Sequence, residues 1–271
     1  MAIISHKVEG VSNDVTHYAR VYPVNKKGHA QSELDGQITS ALTNAFPTEP
    51  TEYILLETVT ASKTWTAPES GYFQIEVYGA SGNGGKGWGG RGTVGSGTED
   101  DPVTTETCNM GGGGGGSGAY SSSLLIALNV GDTIELVCGA IGNDTSAQIH
   151  SSVSDEDNLT MTSTSASSGS NAGLFVAGTG GAGGVATGGN DQNINGNSGG
   201  KGGYKYINGY NTPDTASGGI GGSAVVTDGN VGGRGAYAAG YTNSKATTTG
   251  LTYGSAGFIK IYRGDTNVVA A

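Results

Sequence analysis

Apolar and polar positions alternate with period two in the stretch GYFQIEVYGA (71–80). It sets Phe73, Ile75 and Val77 against Tyr72, Gln74, Glu76 and Tyr78, the pattern of a strand with one face buried. EYILLETVT (52–60) is equally rich in β-formers, and KTWTAPESG between the two reads as a turn at Pro68 and Gly71. Further strands are expected at AYSSSLLIALNV (119–130), DTIELVCGAI (132–141), LFVAG (174–178), GSAVVTD (222–228) and GFIKIYRG (257–264). Helical periodicity is confined to the first fifty residues. There SELDGQITSALTNAFP places Leu34, Ile38 and Leu42 at i, i+4 and i+8, behind a capping-box-like Ser32 and Asp35. Gly36 weakens that helix and Pro47 ends it; HYARVYPVN (17–25) before it reads as a strand ending at Pro23. One strand and a three-turn helix cannot bury a core. Residues 1–50 are therefore expected to be a small attachment or oligomerisation segment that docks on another chain or another copy, and 51–271 an all-β, glycine-rich domain.

Glycine changes this picture. The chain has 52 glycines in 271 residues, and only Gly10, Gly28 and Gly36 precede position 70. Four segments repeat Gly-Gly-X-Gly-(Gly/Ala)-X: GGAGGV (180–185), GGKGGY (199–204), GGIGGS (218–223) and GGRGAY (232–237). Their period is three, and they recur at intervals of 19, 19 and 14 residues. A backbone with three residues per turn is the polyproline-II type, which has no internal hydrogen bonds. Such segments pair only with neighbours that approach closely, and glycine at two positions of three permits that. The expected architecture is a packed polyglycine-II sandwich interleaved with the β-frame. Gly180, Gly183, Gly199, Gly202, Gly218, Gly221 and Gly232 would form its core, and Gly113 would sit mid-way along a central rod made by the six glycines 111–116. The alternative is a flexible Gly/Ser linker; the regular placing of Val, Ile and Tyr among the glycines speaks against it.

Three polar stretches separate the repeats: NDQNINGNS (190–198), KYINGYNTPDTAS (205–217) and AAGYTNSKATTTG (238–250). Rigid glycine segments would project them at one end as a cluster of loops. Tyr, Asn, Ser and Gly are the residues of adaptable binding loops, so Tyr206, Tyr210, Asn211, Tyr237 and Tyr241 are the candidate binding residues. Simple loop packing is the competing reading for any one of these tyrosines.

Two family resemblances rest on these residues. The order of WTAPESGYFQIEV, a Gly131-Asp132 turn and a last strand opened by Gly257-Phe258 resembles the jelly-roll frame of tumour-necrosis-factor-like and complement-C1q-like domains. The Gly-Gly-X-Gly-Gly segments alternating with polar loops resemble the distal tail-fibre adhesins of T-even-type bacteriophages, in which a polyglycine-II sandwich carries receptor-binding loops. Residues 1–50 do not resemble that family's attachment domain; they are more similar to the start of a minor tail protein from a phage or prophage of Gram-positive bacteria. YFQIEVYGASGNGG (72–85) also resembles the glycine-rich domain of such proteins. A glycine module inserted in a jelly roll further resembles the extracellular part of the anaplastic lymphoma kinase group, whose signal and kinase are not found here. The phage resemblance implies a virion protein at the tail tip or fibre, joined to other tail or baseplate proteins through 1–50. It implies attachment to a bacterial surface receptor, protein or glycan, and phage symmetry together with the jelly-roll resemblance implies a homotrimer.

Charge and candidate chemistry narrow the alternatives. With 13 basic and 23 acidic residues the formal net charge is −10, which argues against a nucleic-acid partner. No 18-residue apolar run predicts a membrane span, and MAIISHKVEG is too short and mixed for a secretory leader. The expected route is assembly in the host cytoplasm and departure with a larger particle or by lysis. Cys108 and Cys138 leave open one bridge or two separate thiols. GNGGKG (82–87) satisfies Gly-x-Gly-x-x-Gly, but no helix follows it, so no dinucleotide site is expected. The four histidines are scattered without zinc spacing. Asp155-Glu156-Asp157 could hold calcium or be a solvated loop. No nucleophile–base set is legible; neither catalysis nor a cofactor or metal is expected. A structural minor tail or capsid-decorating protein without a ligand is the alternative function. Ice binding is disfavoured by Lys201, Tyr204, Arg234 and Tyr237 at X positions.

Overall fold

The computed structural model describes residues 49–94, 98–100, 104–207, 215–242 and 245–265. The strand and helix expected within 1–48 lie outside the described residues. The chain divides into two units after Thr48, and every described strand belongs to the second, Glu49–Ala271.

This unit is all-β. In chain order its strands are β1 (Glu52–Val59), β2 (Lys63–Thr66), β3 (Gly71–Tyr78), β4 (Trp88–Val94), β5 (Thr104–Met110), β6 (Tyr120–Leu128), β7 (Thr133–Val137), β8 (Thr145–His150), β9 (Thr160–Ser163), β10 (Ala186–Thr187), β11 (Gln192–Ile194), β12 (Tyr204–Ile207), β13 (Tyr237–Thr242), β14 (Lys245–Thr249) and β15 (Phe258–Asp265). Two five-stranded antiparallel sheets, ordered β1-β15-β3-β6-β11 and β10-β9-β8-β7-β2, share one core. The alternation in β3 decides its orientation. Phe73, Ile75 and Val77 are fully buried between the sheets with Ile126 and Leu128 of β6 and Ile259 and Ile261 of β15. They meet Trp65, Ile134, Leu136, Ile149 and Met161 from the opposite sheet. Trp65 packs edge-on to Phe73, with ring centroids 5.5 Å apart.

Three sequence expectations are corrected here. KTWT belongs to a strand, because pairing with β7 lets Trp65 reach the core. LFVAG and GSAVVTD are not strands. The first is a reversal closed by a Gly173–Val176 bridge, and the second bends at 225–228. Both connect neighbouring glycine segments that run in opposite directions, and a connection that short must turn. The expected Gly131-Asp132 turn is present. Gly131 has φ +93°, and the Asp132 carboxylate accepts N–H bonds from Asn129 (2.8 Å) and Ser152 (2.9 Å). Burial alone would raise the Asp132 pKa, but these N–H donors outweigh it and hold the carboxyl below its ordinary value.

Between the strands, the glycine segments form a hydrogen-bonded bundle of their own. Residues 111–118 are buried and run along its axis. The N–H groups of Gly111, Gly114 and Ser117 donate to Gly203, Gly200 and Asn197. Those of Gly112, Gly115 and Gly118 donate to Ala236, Gly233 and Asn230, and those of Gly113 and Gly116 to Ser170 and Ser167. The carbonyls repeat the same rhythm. Gly111, Gly114 and Ser117 accept from Gly178, Gly181 and Gly184; Gly112 and Gly115 from Gly219 and Gly222; Gly113 and Gly116 from Gly85 and Gly82. Every third residue thus returns to the same neighbour. Six segments surround the axis: 79–86, 167–172, 178–184, 196–203, 217–223 and 230–236.

The six also bond to one another in a closed ring. The links include Gly169 to Asn83, Ser170 to Thr179, Gly202 to Gly178, Gly203 to Ser217, Gly235 to Gly219 and Gly233 to Gly82. A Cβ at Gly113 would lie closer than 3.0 Å to Thr179 O. At Gly180, Gly183, Gly199, Gly202, Gly218, Gly221 and Gly232 it would likewise collide with a neighbouring backbone carbonyl. The X residues Ala182, Val185, Lys201, Tyr204, Ile220, Ser223 and Arg234 are exposed.

Candidate binding surface

Because ring neighbours are joined by reversals, the connections alternate between the two ends of the bundle. At one end the axial segment runs into β6, and residues 79, 184–196 and 223–230 lie against the sandwich. At the other end lie β4, β5, β12, β13, β14 and the turn 172–177. There β12-β5-β4 form one sheet and β13-β14 a hairpin. Of the three polar stretches, the described parts of 205–217 and 238–250 belong to this distal end. NDQNINGNS does not join them: β11 pairs with β6 at the sandwich end, where Asp191 accepts from Ser122 Oγ (2.8 Å) and Asn193 from Ser121 Oγ (2.8 Å).

Among the candidate binding residues, Tyr206 stands on β12 opposite Cys108. Tyr237 and Tyr241 stand on β13 opposite Thr249 and Ala246. Their backbones are in strands rather than loops, because the polar stretches pair as short hairpins and sheet edges. Tyr210 and Asn211 lie outside the described residues. Under the distal sheet, Cys108, Met110 and Ala177 are buried, with Trp88, Ala172 and Phe175 packed against them. Trp88 and Tyr204 both stand opposite Met110, one on each neighbouring strand.

Sequence reasoning missed a second cluster, at the junction of sandwich and bundle. Glu76, on the outer face of β3, is 9 % exposed. Its carboxylate accepts from Tyr78 Oη (2.8 Å), Tyr262 Oη (2.8 Å), Tyr120 Oη (3.0 Å) and Gln74 Nε2 (3.1 Å). Tyr78 stacks on Phe258 with centroids 4.2 Å apart, and Lys260 Nζ lies 5.6 Å from its ring while pairing with Asp228 (2.6 Å). The strands β3, β6 and β15 are thus tied through one acceptor, and a Glu two residues before a Tyr was the only local signal of it.

The phenols of Tyr78, Tyr120 and Tyr262 are pushed above their ordinary value of 10.0, first by burial and then by the Glu76 carboxylate they donate to; a bond from Ser122 partly opposes this at Tyr120. In the unfolded chain these phenols ionise near 10, while in the fold they stay protonated. Their contribution is therefore whole below about pH 10 and lost as the pH rises further. An ultraviolet titration of tyrosinate is expected to show a late class of tyrosines ionising together with loss of β-structure. A single ionisation near pH 10 with the fold intact would contradict this.

Neither the comparison with protein-family models nor that with curated proteins finds a match for the chain.

Other chemistry is sparse among the described residues. Among the described residues, no group of three or more His, Cys, Asp or Glu is placed to hold a metal ion. Asp155–Asp157 is a single 3-10 turn capped by Ser154. Cys108 and Cys138 do not form a disulfide: the first is buried under the distal sheet, and the second donates to Val59 O (3.3 Å) beside the sandwich. Burial raises the Cys138 thiol pKa, with Lys63 acting in the opposite direction, and a raised pKa disfavours the thiolate form. No helix among the described residues is long and apolar enough to cross a membrane. What the arrangement offers is a surface of strands and turns held on a hydrogen-bonded bundle.

Proposed function

We propose that this chain is a receptor-binding adhesin of a phage tail or tail-like particle, with the distal end of the glycine bundle contacting a bacterial cell surface. The observation that carries the reading is the closed ring of period-three hydrogen bonds. It supports a polyglycine-II bundle of one axial and six surrounding segments, about 25 Å long over the eight axial residues at roughly 3.1 Å each. Such a bundle holds β4, β5, β12, β13, β14 and the turn 172–177 away from the sandwich without a large apolar core. Rigid presentation lowers the ordering cost of binding, and the X positions carry Lys, Arg and Tyr outward.

A jelly-roll-like frame is part of this proposal. The neighbour pairs β1–β15, β15–β3, β3–β6 and β2–β7 support it. The strands β8 and β9 depart from that pattern by following β7 in the chain; the glycine segments 79–86 and 111–118 enter between β3 and β6, and the other five between β9 and β15. In this reading residues 1–50 join the chain to other tail or baseplate proteins, and the assembly is a homotrimer in the virion.

The test is a pair of variants. Deleting 1–50 is expected to leave cell binding intact and abolish incorporation into particles. Exchanging 205–217 for the corresponding stretch of a related chain is expected to change which bacterial strains are bound. Particle incorporation without 1–50 would overturn the attachment role of that segment, and an unchanged strain range after the exchange would favour the purely structural role.

A further inference from the structure

The bonds between the axis and the ring also fix the height of each X residue along the bundle. Gly114 and Gly115 donate to Gly200 and Gly233, while Gly112 and Gly113 accept from Gly219 and Gly85. The residues that follow these four partners are Lys201, Arg234, Ile220 and Lys86. All four stand level with axial residues 112–114, within about 6 Å along the bundle at roughly 3.1 Å per residue. They come from consecutive ring neighbours, 196–203, 217–223, 230–236 and 79–86, and each is exposed. A fifth residue joins the row. Thr252 donates to Arg234 O (3.0 Å) and accepts from Gly84 N–H (3.1 Å), so Tyr253 follows over the seam between the last two segments. Tyr253 and Ile220, at 74 % and 71 %, are the most exposed large hydrophobic residues among those described. Around this flank the row reads Lys201, Ile220, Arg234, Tyr253, Lys86.

The flank carries charge of one sign. No acidic residue occurs in 79–87, 196–207, 215–223, 229–242 or 245–256, although the whole chain has net charge −10. The acids beyond its two ends stand off the row. Glu106 on β5 precedes axial residue 112 by six positions, about 19 Å at the rise of strand and glycine helix. At the sandwich end Asp228 is paired with Lys260, and Asp191 accepts from Ser122. The sandwich satisfies its own cations: Lys63 pairs with Glu57, Lys260 with Asp228 and Arg263 with Glu69. Lys86, Lys201 and Arg234 make no ion pair among the described residues. Unpaired cations on an otherwise acidic protein complement an anion outside the chain.

Shape narrows what that anion is. Six segments around one axis make a convex flank, on which a small anion would reach one or two of the five side chains. A folded protein partner takes about 800 Å² and 20–30 residues a side, more than one row on a rod presents. An extended chain laid across the row meets all five. Hydrogen-bonded backbones lie about 4.8 Å apart, which puts Lys201 and Arg234 under about 10 Å apart at the backbone, within reach of acid groups close together on one chain. Asn197, Ser198, Ser217, Ser223 and Thr252 around the row are exposed and uncharged, and they offer the hydrogen bonds that sugar hydroxyls require.

On the adhesin reading above, which puts the bundle at a cell surface, we propose that this flank binds a linear acidic polysaccharide of that surface, in addition to the distal contact. Lys201, Arg234 and Lys86 meet its acid groups, and Tyr253 and Ile220 pack against the C–H faces of the sugar rings between them.

The test measures binding of the full chain to immobilised polygalacturonate and dextran sulfate, with neutral dextran as reference, at low and high salt. The wild type is expected to bind at least one acidic polymer, and dextran at least about tenfold more weakly. Lys201→Gln combined with Arg234→Gln should weaken acidic-polymer binding about tenfold and flatten its salt dependence. Tyr253→Ala should weaken it several-fold with an unchanged melting curve, which keeps the test valid if the double variant folds poorly. Lys63→Ala, on the sandwich, should bind as the wild type does. Binding to neither acidic polymer, equal binding to dextran, or wild-type affinity in both the double variant and Tyr253→Ala overturns the inference. Tighter capture by phosphatidylglycerol vesicles than by either polymer would assign the flank to lipid and overturns it too. Labelled chain on intact bacteria separates this inference from the reading it rests on. Polymer binding by a chain that binds no bacterial strain refutes the adhesin reading and leaves the polysaccharide site standing. Cell binding that the double variant leaves unchanged keeps the adhesin reading and overturns the role of this flank.

Discussion

Gly113→Val is expected to abolish cooperative folding of the glycine bundle. Gly113 is buried on the bundle axis, and an added Cβ would lie closer than 3.0 Å to Thr179 O. Relief by movement is blocked in every direction, because the axial residues bond to six segments that also bond to one another. The valine therefore forces several backbone hydrogen bonds to break in a place water cannot reach. Each unsatisfied buried group costs about 1–3 kcal/mol. Several together exceed the ~4–5 kcal/mol that marks an exceptional substitution and approach the ~5–15 kcal/mol margin of a whole domain. The measurement is soluble yield and the shape of the thermal transition. Lys201→Val serves as the control, since Lys201 is an exposed X residue on the same bundle and its change should leave the midpoint nearly unmoved. A Gly113→Val protein that melts like the wild type would return residues 111–116 to the status of a linker.

Glu76→Leu should be the most damaging change on the outer face of the sandwich. Leucine removes the acceptor shared by Tyr78, Tyr120 and Tyr262, leaving two buried phenol hydroxyls and one half-buried one without their partner. At about 1–3 kcal/mol for each stranded buried group, the loss is several kcal/mol, read as a lower denaturant midpoint with little change in slope. Glu76→Gln keeps one carbonyl oxygen and should fall between the two. Glu69→Ala removes an exposed pair with Arg263 and should be nearly silent, as surface ion pairs usually are. Equal midpoints for Glu76→Leu and the wild type would show that the three strands hold together without this acceptor.

The legible parts of the fold are those with a strong local pattern. Phe73, Ile75 and Val77 announced a half-buried strand because alternate side chains leave a strand on opposite faces. The misreadings share a cause. Leu174–Val176 and Val225–Val226 carry β-forming side chains, but such composition reports a liking for burial and packing rather than a partner to pair with. Trp65 was read as part of a turn because its strand has only four residues and runs into Pro68. The Glu76 cluster was hidden because two of its tyrosines lie 44 and 186 residues away along the chain. In the candidate surface, the tyrosine-rich stretches were visible by composition. The row of Lys201, Arg234 and Lys86 on one flank became visible only once the ring of segments was known.

By itself the sequence determined two backbone periods, two residues in the strands and three in the glycine segments. Side-chain spacing carries that information directly, and so it also determined which positions point outward. Only the tertiary structure decided which glycine segment lies beside which, which end of the bundle each connection occupies, and that 111–118 is the axis. The physical reason is that the bundle is held by backbone N–H and C=O groups. These are the same in every segment, so two glycines of three carry no label of their partner. Connection lengths, and the sandwich from which the axis leaves, make that choice.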